Sequence, residues 1–156
     1  MTDIAPFFAP DGPLAQAVPG FAVRPQQLEM ARAIADAMDQ RQVLVAEAGT
    51  GTGKTFAYLV PALASGGKVI VSTGTKTLQD QLFERDLPLV RAALGMPVTI
   101  ALLKGRGNYV CLQHLERAKS EGRLESRADV GYLETIARYA RTSATGDRAG
   151  LAEVPE

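Results

Sequence analysis

A chain of 156 residues with 17 Lys+Arg against 17 Asp+Glu and 46% apolar residues reads as one soluble globular domain, long enough to bury a core without disulfides or a structural metal. Its single cysteine, Cys111, excludes a disulfide framework and favours a reducing, cytoplasmic setting. Formal neutrality excludes a chain that coats nucleic acid by bulk charge, so any such contact must be local.

The first twenty residues contain no Lys or Arg and several prolines, which fits neither a signal peptide nor a transit peptide. Residues 1–24 show little periodicity and read as an extended arm. From Pro25, RPQQLEMARAIADAMDQ places Leu28, Ala31, Ile34, Ala35 and Met38 on one helical face and Glu29, Arg32, Asp36 and Asp39 on the other. QVLVAE then reads as a strand buried on both faces, followed by a glycine-rich turn and the helix FAYLVPALA. That apolar run is about half of the roughly 20 residues a bilayer span needs, so no membrane is expected. KVIVST is a second buried strand; LQDQLFER and LPLVRAALG follow, with Pro88 expected to break the helix and Gly95 to end it. PVTIALL supplies a third strand. The order β-α-β-α-β predicts an α/β fold: a parallel sheet with helices on both faces and its ligands at the carboxyl ends of the strands. After Lys104 the character turns helical, over 109–119 and 126–141, and TSATGDRAGLAEVPE reads as an unstructured tail. The chain thus divides into an arm (1–24), an α/β region (25–103) and a distinct helical region (104–156).

Ala48 to Thr55, AGTGTGKT, match the phosphate-binding loop except that Ala48 replaces the first glycine. In that pattern the backbone from Ala48 through Gly49, Thr50, Gly51, Thr52 and Gly53 leaves N–H groups to converge on phosphate oxygens, Lys54 reaches the β and γ phosphates, and Thr55 ligates Mg²⁺. The loop follows a strand and opens a helix, so the helix N-terminus adds positive potential at the same place.

Upstream, Gln27 sits on the edge of the apolar face, in line with Ala31 and Ile34, where a carboxamide can pair with both edges of adenine; the ordinary alternative is a solvated side chain. Ser72, Thr73, Thr75, Lys76 and Thr77 gather hydroxyls, a cation and a helix start at one rim of the expected sheet, which suits a nucleic-acid backbone or, more simply, helix capping. Lys104, Arg106 and Tyr109, spaced by glycines, offer cations and one aromatic for phosphate and a stacked base. Cys111 and His114 do not make a metal site by themselves, and His114 reads as an exposed helix residue.

Together RPQQLEMA, EAGTGTGKTFAYLVPAL, VIVSTGTKTLQDQL and LLKGRGNYVCL resemble the iron–sulfur DNA helicases of the XPD-like group in superfamily two, in their bacterial YoaA/DinG branch and nearer its YoaA side. The likeness runs from about Phe21 to Cys111. It implies a RecA-like phosphate-loop motor, with Arg24 and Gln27 reading adenine and Lys54 and Thr55 contacting ATP and Mg²⁺. It further implies Ser72, Thr73, Thr75 and Gln79 gripping single-stranded DNA, and Cys111 as the first of four ligands of a [4Fe–4S] cluster. Single-stranded or forked DNA and a replication or repair protein would be the partners.

The sequence lacks the acidic pair that holds Mg²⁺ and orients water, a second motor domain, and three of the four cysteines. The expectation is therefore the amino-terminal piece of an ATP-dependent DNA helicase, cut inside its iron–sulfur domain. The alternative is a stand-alone ATP-binding or partner-binding module without turnover; a small kinase ranks below both. Lys76, Lys104 and Arg106 offer about three phosphate contacts where tight binding uses roughly 6–10, so weak DNA binding is expected of these residues alone.

Overall fold

The computed structural model describes residues 3–122 and 126–151. They fall into two compact units, Met1–Ala101 and Leu102–Glu156, each with its own packing.

The first unit opens on a 3₁₀ turn, Ala5–Phe8, and the short helix α1, Pro13–Ala17. This corrects the extended arm expected from the sequence. Ile4, Phe8 and Leu14 are all buried and join the core cluster, so apolar anchoring holds a segment whose prolines break its periodicity. Helix α2, Pro25–Gln40, starts with proline in its first turn and ends on Arg41, which adopts the left-handed conformation at φ 54°. Its buried stripe includes Ala31, as expected, and also Gln27. Helix α3, Lys54–Ala64, packs alongside α2 and contributes Ala57, Leu59 and Val60 to the same core.

Helices α4, Lys76–Gln81, and α5, Leu87–Leu94, are joined through a π-helical turn, Leu82–Asp86. Pro88 was expected to break a helix here. It instead occupies the first turn of α5, where its missing N–H costs nothing, and the preceding turn widens so that Leu87 N–H donates to the Leu82 carbonyl. Leu82 and Val90 point into the core and Gly95 ends α5 in the left-handed conformation.

Among the described residues there is no strand ladder. The runs 42–47, 68–73 and 97–103 form neither helix nor sheet, and Val43, Val45 and Ile70 are 94%, 92% and 95% exposed. The expected parallel sheet is therefore not formed within these residues. The three runs do not pair with one another, and unpaired backbone gives their β-branched side chains no layer to pack beneath.

The second unit holds a 3₁₀ turn, Arg106–Asn108, then α6, Leu112–Glu121, and α7, Arg127–Thr142, which pack together. Ser126 and Asp129 form a reciprocal capping box at the start of α7. The tail beyond α7 is not unstructured over residues 143–151. Lys104 Nζ and Asp147 Oδ2 form an ion pair at 2.8 Å with both side chains largely buried, and Val110 N–H donates to Gly146 O. Tyr139 donates its hydroxyl to the Asp147 carbonyl, Arg148 reaches Gly107 O at 3.1 Å, and Arg148–Gly150 forms a last 3₁₀ turn. These buried and paired groups, rather than composition, fix the segment. Residues 152–156, the end of the expected tail, lie outside the described residues. Among those described, no helix is long and apolar enough to cross a membrane.

Candidate functional site

The loop between Glu47 and α3 turns twice through backbone conformations that only glycine adopts without strain, Gly51 at φ 77° and Gly53 at φ 80°. Gly53 is the N-cap of α3 and no side chain caps it, so the first-turn N–H groups adjoining the loop have no intrahelical carbonyl to bind. Lys54 folds back across the loop: its Nζ donates to Ala48 O at 2.7 Å and to Gly49 O at 2.6 Å. Thr52 Oγ1 also donates to Gly49 O, at 2.9 Å. The result is a closed ring of backbone around one ammonium group, with a helix N-terminus behind it. Such an arrangement attracts a polyanion, and Lys54 has only to exchange two carbonyl acceptors for anionic oxygens.

Arg24 and Gln27 are brought to this loop from the start of α2. Gln27 is 2% exposed, and its Nε2 donates to Gly53 O at 2.8 Å. Its Oε1 is buried and accepts no hydrogen bond. The solvated alternative for Gln27 does not hold. A buried acceptor left open costs about 1–3 kcal/mol, which a donor group on a ligand beside the loop would recover. The contact is close because Gly53 has no side chain: a Cβ there would lie 2.0 Å from Gln27 Nε2 and 3.3 Å from an Arg24 guanidinium nitrogen. Gly53→Ala is accordingly expected to destabilise the fold by at least the roughly 1–2 kcal/mol that a left-handed alanine costs. Chemical denaturation of the two proteins checks this, and equal midpoints would contradict it.

Behind the loop lies a pair of residues that sequence reasoning missed. Tyr58 stands one turn after Thr55 on α3, half-buried and packed against the core. Burial pushes its hydroxyl above the ordinary phenol range; the Asp86 charge acts in the same direction and the Thr55 hydroxyl opposes both. Asp86 is 6% exposed and accepts from Gln81 Nε2 and from Arg85 Nε, each at 2.9 Å. The spacing from Thr55 to Tyr58 was the available signal, since residues three apart share a helix face. Asp86 carried none, because a charged residue between two helical runs reads as exposed.

The other predicted residues are placed in two separate groups. In the first unit, Thr75 caps α4 by accepting from Leu78 N–H at 3.2 Å, Thr73 Oγ1 donates to Thr75 O, Ser72 and Lys76 are exposed, and Gln79 lies on α4 half-buried. Capping was the simpler of the two readings for Thr75, and it is what the hydroxyl does. In the second unit, Tyr109 accepts from Lys104 N–H at 2.8 Å, Lys104 is engaged with Asp147, and Arg106 is exposed. Cys111 is an exposed free thiol at the N-cap of α6, and His114 is exposed. No group of three or more potential metal ligands occurs among the described residues. A cavity of about 460 Å³, lined by Ile4, Met38, Arg41, Pro61 and Lys68 among others, lies at the opposite ends of α2 and α3 from Gln27 and Gly53, so convergent chemistry rather than this hollow marks the site.

The loop, the helix it opens and the glutamine packed on it define a candidate polyanion-binding site. Residues 25–121 match the family model of DEAD/DEAH box helicases, and the chain belongs to that family. It is 48% identical over 153 residues to the ATP-dependent DNA helicase YoaA of Haemophilus influenzae, covering 98% of this chain and 24% of that protein. To the YoaA helicase of Escherichia coli it is 58% identical over 115 residues, 74% of this chain and 18% of the relative. The ATP-dependent helicase DinG of Mycobacterium tuberculosis is 48% identical over 113 residues, 67% of this chain and 17% of the relative. The chain thus spans less than a quarter of the length of the relatives it matches.

Proposed function

We propose that this chain is the amino-terminal, nucleotide-binding part of an ATP-dependent DNA helicase that couples ATP hydrolysis to movement on single-stranded DNA in repair or replication. The observation that carries the reading is the juxtaposition at Gly53: two left-handed glycines, Lys54 at the helix start, and a buried Gln27 with one open acceptor. In this reading ATP lays its phosphates across residues 48–55, with Lys54 leaving Ala48 O and Gly49 O for the β and γ phosphates and Thr55 holding Mg²⁺. Arg24 flanks the nucleotide, and Gln27 Oε1 accepts from the adenine amino group. Mg²⁺, which Thr55 would hold, would supply charge neutralisation at the phosphates; the chain's own part is to place them with Lys54 and the loop backbone.

The runs 42–47, 68–73 and 97–103 are read as strands of a RecA-like parallel sheet whose remaining strands come from other residues. Their high exposure fits surfaces made to be covered. Ser72, Thr73, Thr75, Lys76 and Gln79 are the proposed contacts to single-stranded DNA, with Arg106 and Tyr109 in the second unit. Lys104 contributes least, being held by Asp147. A [4Fe–4S] cluster does not fit this chain by itself, because one thiolate stands where four are needed. Cys111 would be a single ligand among others supplied elsewhere. A replication or repair protein as partner and a cytoplasmic location follow from the same reading.

The test is ATP turnover by the intact protein with and without a single-stranded oligonucleotide. DNA is expected to stimulate turnover, and hydrolysis indifferent to DNA would sink the proposal.

A further inference from the structure

The second unit is entered and left at one place, and polar groups with little exposure hold the two passages together. Lys104 Nζ and Asp147 Oδ2 pair at 2.8 Å, with side chains 9% and 19% exposed. The Lys104 N–H donates to the Tyr109 hydroxyl at 2.8 Å, and Tyr139 on α7 donates its own hydroxyl to the Asp147 carbonyl. Val110 N–H donates to Gly146 O at 2.9 Å, and Arg148 Nη1 reaches Gly107 O at 3.1 Å across 41 positions of chain. The return after α7 is a backbone turn: Gly146 sits at φ 69° and its N–H donates to Ser143 Oγ at 2.9 Å. Gly150 lies so close to Tyr139 that a Cβ there would come within 2.5 Å of the hydroxyl oxygen.

Cys111 stands outside this set. It follows Val110 directly, its carbonyl accepts from Leu115 N–H at 3.0 Å where α6 begins, and its thiol is free and exposed. Each contact just described is made by nitrogen and oxygen groups paired with one another, and none passes through the thiol. A small fold that depends on a metal has its ligands where these contacts stand, and it comes apart when the metal leaves.

We infer that the clasp centred on Lys104 and Asp147 closes the second unit independently of any iron–sulfur cluster, so that the protein stripped of a cluster keeps residues 104–110 and 143–151 folded together, with Cys111 still held at the start of α6. The inference takes from the proposed function only that Cys111 serves a cluster whose other ligands lie elsewhere.

Closing a chain segment costs entropy that grows only slowly with its length, so a modest set of contacts suffices for a long excursion. Both carboxylate oxygens of Asp147 are used, Oδ2 by Lys104 and Oδ1 by Ala149 N–H at 3.0 Å. Removing the charge leaves a largely buried ammonium facing a neutral amide, which is far costlier than the loss of an exposed pair. The clasp therefore opens as a unit when Asp147 is neutralised.

The experiment reads folding at one amide rather than activity. In the intact protein, hydrogen exchange at Val110 N–H is followed by mass spectrometry before and after ferricyanide and EDTA remove the cluster, with iron and sulfide content measured in each sample. Wild-type protection is expected to stay within about threefold on stripping. In the stripped protein, Asp147→Asn is expected to lose about 10–100-fold of that protection. Tyr139→Phe, which removes one hydroxyl and keeps the ring, should lose less and in the same direction. A larger wild-type fall on stripping would show that the cluster closes the unit, and an Asp147→Asn loss below about tenfold would show that the clasp does not; either overturns the inference while the proposed helicase function stands. If the intact protein as purified holds neither iron nor sulfide, the cluster reading of Cys111 fails, and wild type against the two variants still decides the inference.

Discussion

Replacing Lys54 with alanine is expected to lower DNA-stimulated ATP turnover by about 10²–10³-fold, the range for losing one group that stabilises charge developing in a transition state. The ammonium sits in the middle of the loop, 2.7 Å from Ala48 O and 2.6 Å from Gly49 O, so no other side chain of the loop can replace its charge. Both acceptors are loop carbonyls that solvent can also reach, because neither Ala48 nor Gly49 is buried and Thr50 and Gly51 beside them are exposed. The fold should therefore survive: the far-ultraviolet spectrum and unfolding midpoint of Lys54→Ala are expected to match wild type. Steady-state turnover of both proteins with saturating oligonucleotide decides the matter. A variant retaining more than a tenth of wild-type turnover would show that phosphate charge is met by some other group.

Phe8→Ala is expected to destabilise the first unit by about 3–5 kcal/mol, the cost of emptying a phenyl site in a packed core. Phe8 is 2% exposed and sits in the same cluster as Ile4, Leu14, Leu59 and Val60. Its neighbour Phe7 packs only partly against that cluster, so Phe7→Ala should cost less and serves as the control. Equilibrium denaturation gives both values, and a Phe8→Ala cost under about 1 kcal/mol would return residues 3–20 to the status of a loosely attached arm.

That contrast also marks how far the sequence could be read. Helix α2 was legible because Leu28, Ala31, Ile34 and Met38 repeat at helical spacing under a proline start. The loop was legible because its glycines are demanded by backbone conformation, and the left-handed Gly51 and Gly53 meet that demand. The anchors Ile4, Phe8 and Leu14 were not, since they belong to two very short elements with no repeat to reveal a buried face. Pro88 was read as a break because the rule concerns an ordinary helix interior, and the π-helical turn before it removes the conflict. The three β-branched runs show why propensity is not structure: a ladder needs a partner, and none of these runs is partner to another. In the site, Gln27 was placed by its register on α2, but its bond to Gly53 O depends on how α2 lies on α3, which no local pattern encodes. Asp86 was missed because a charged residue between two helical runs reads as exposed, and its burial depends on packing that no local pattern encodes.

The clasp of the second unit has a consequence for architecture. Lys104 meets Asp147, Tyr109 bridges to Asp147, and Arg148 reaches Gly107, so the chain leaves this unit beside the place where it entered. A module with adjoining entry and exit can be spliced into a surface turn of a host at little entropic cost, since the host's two cut ends need not be pulled apart. Helices α6 and α7 then form a removable excursion: a polypeptide resuming after Leu151 could continue from close to where Leu102 left off.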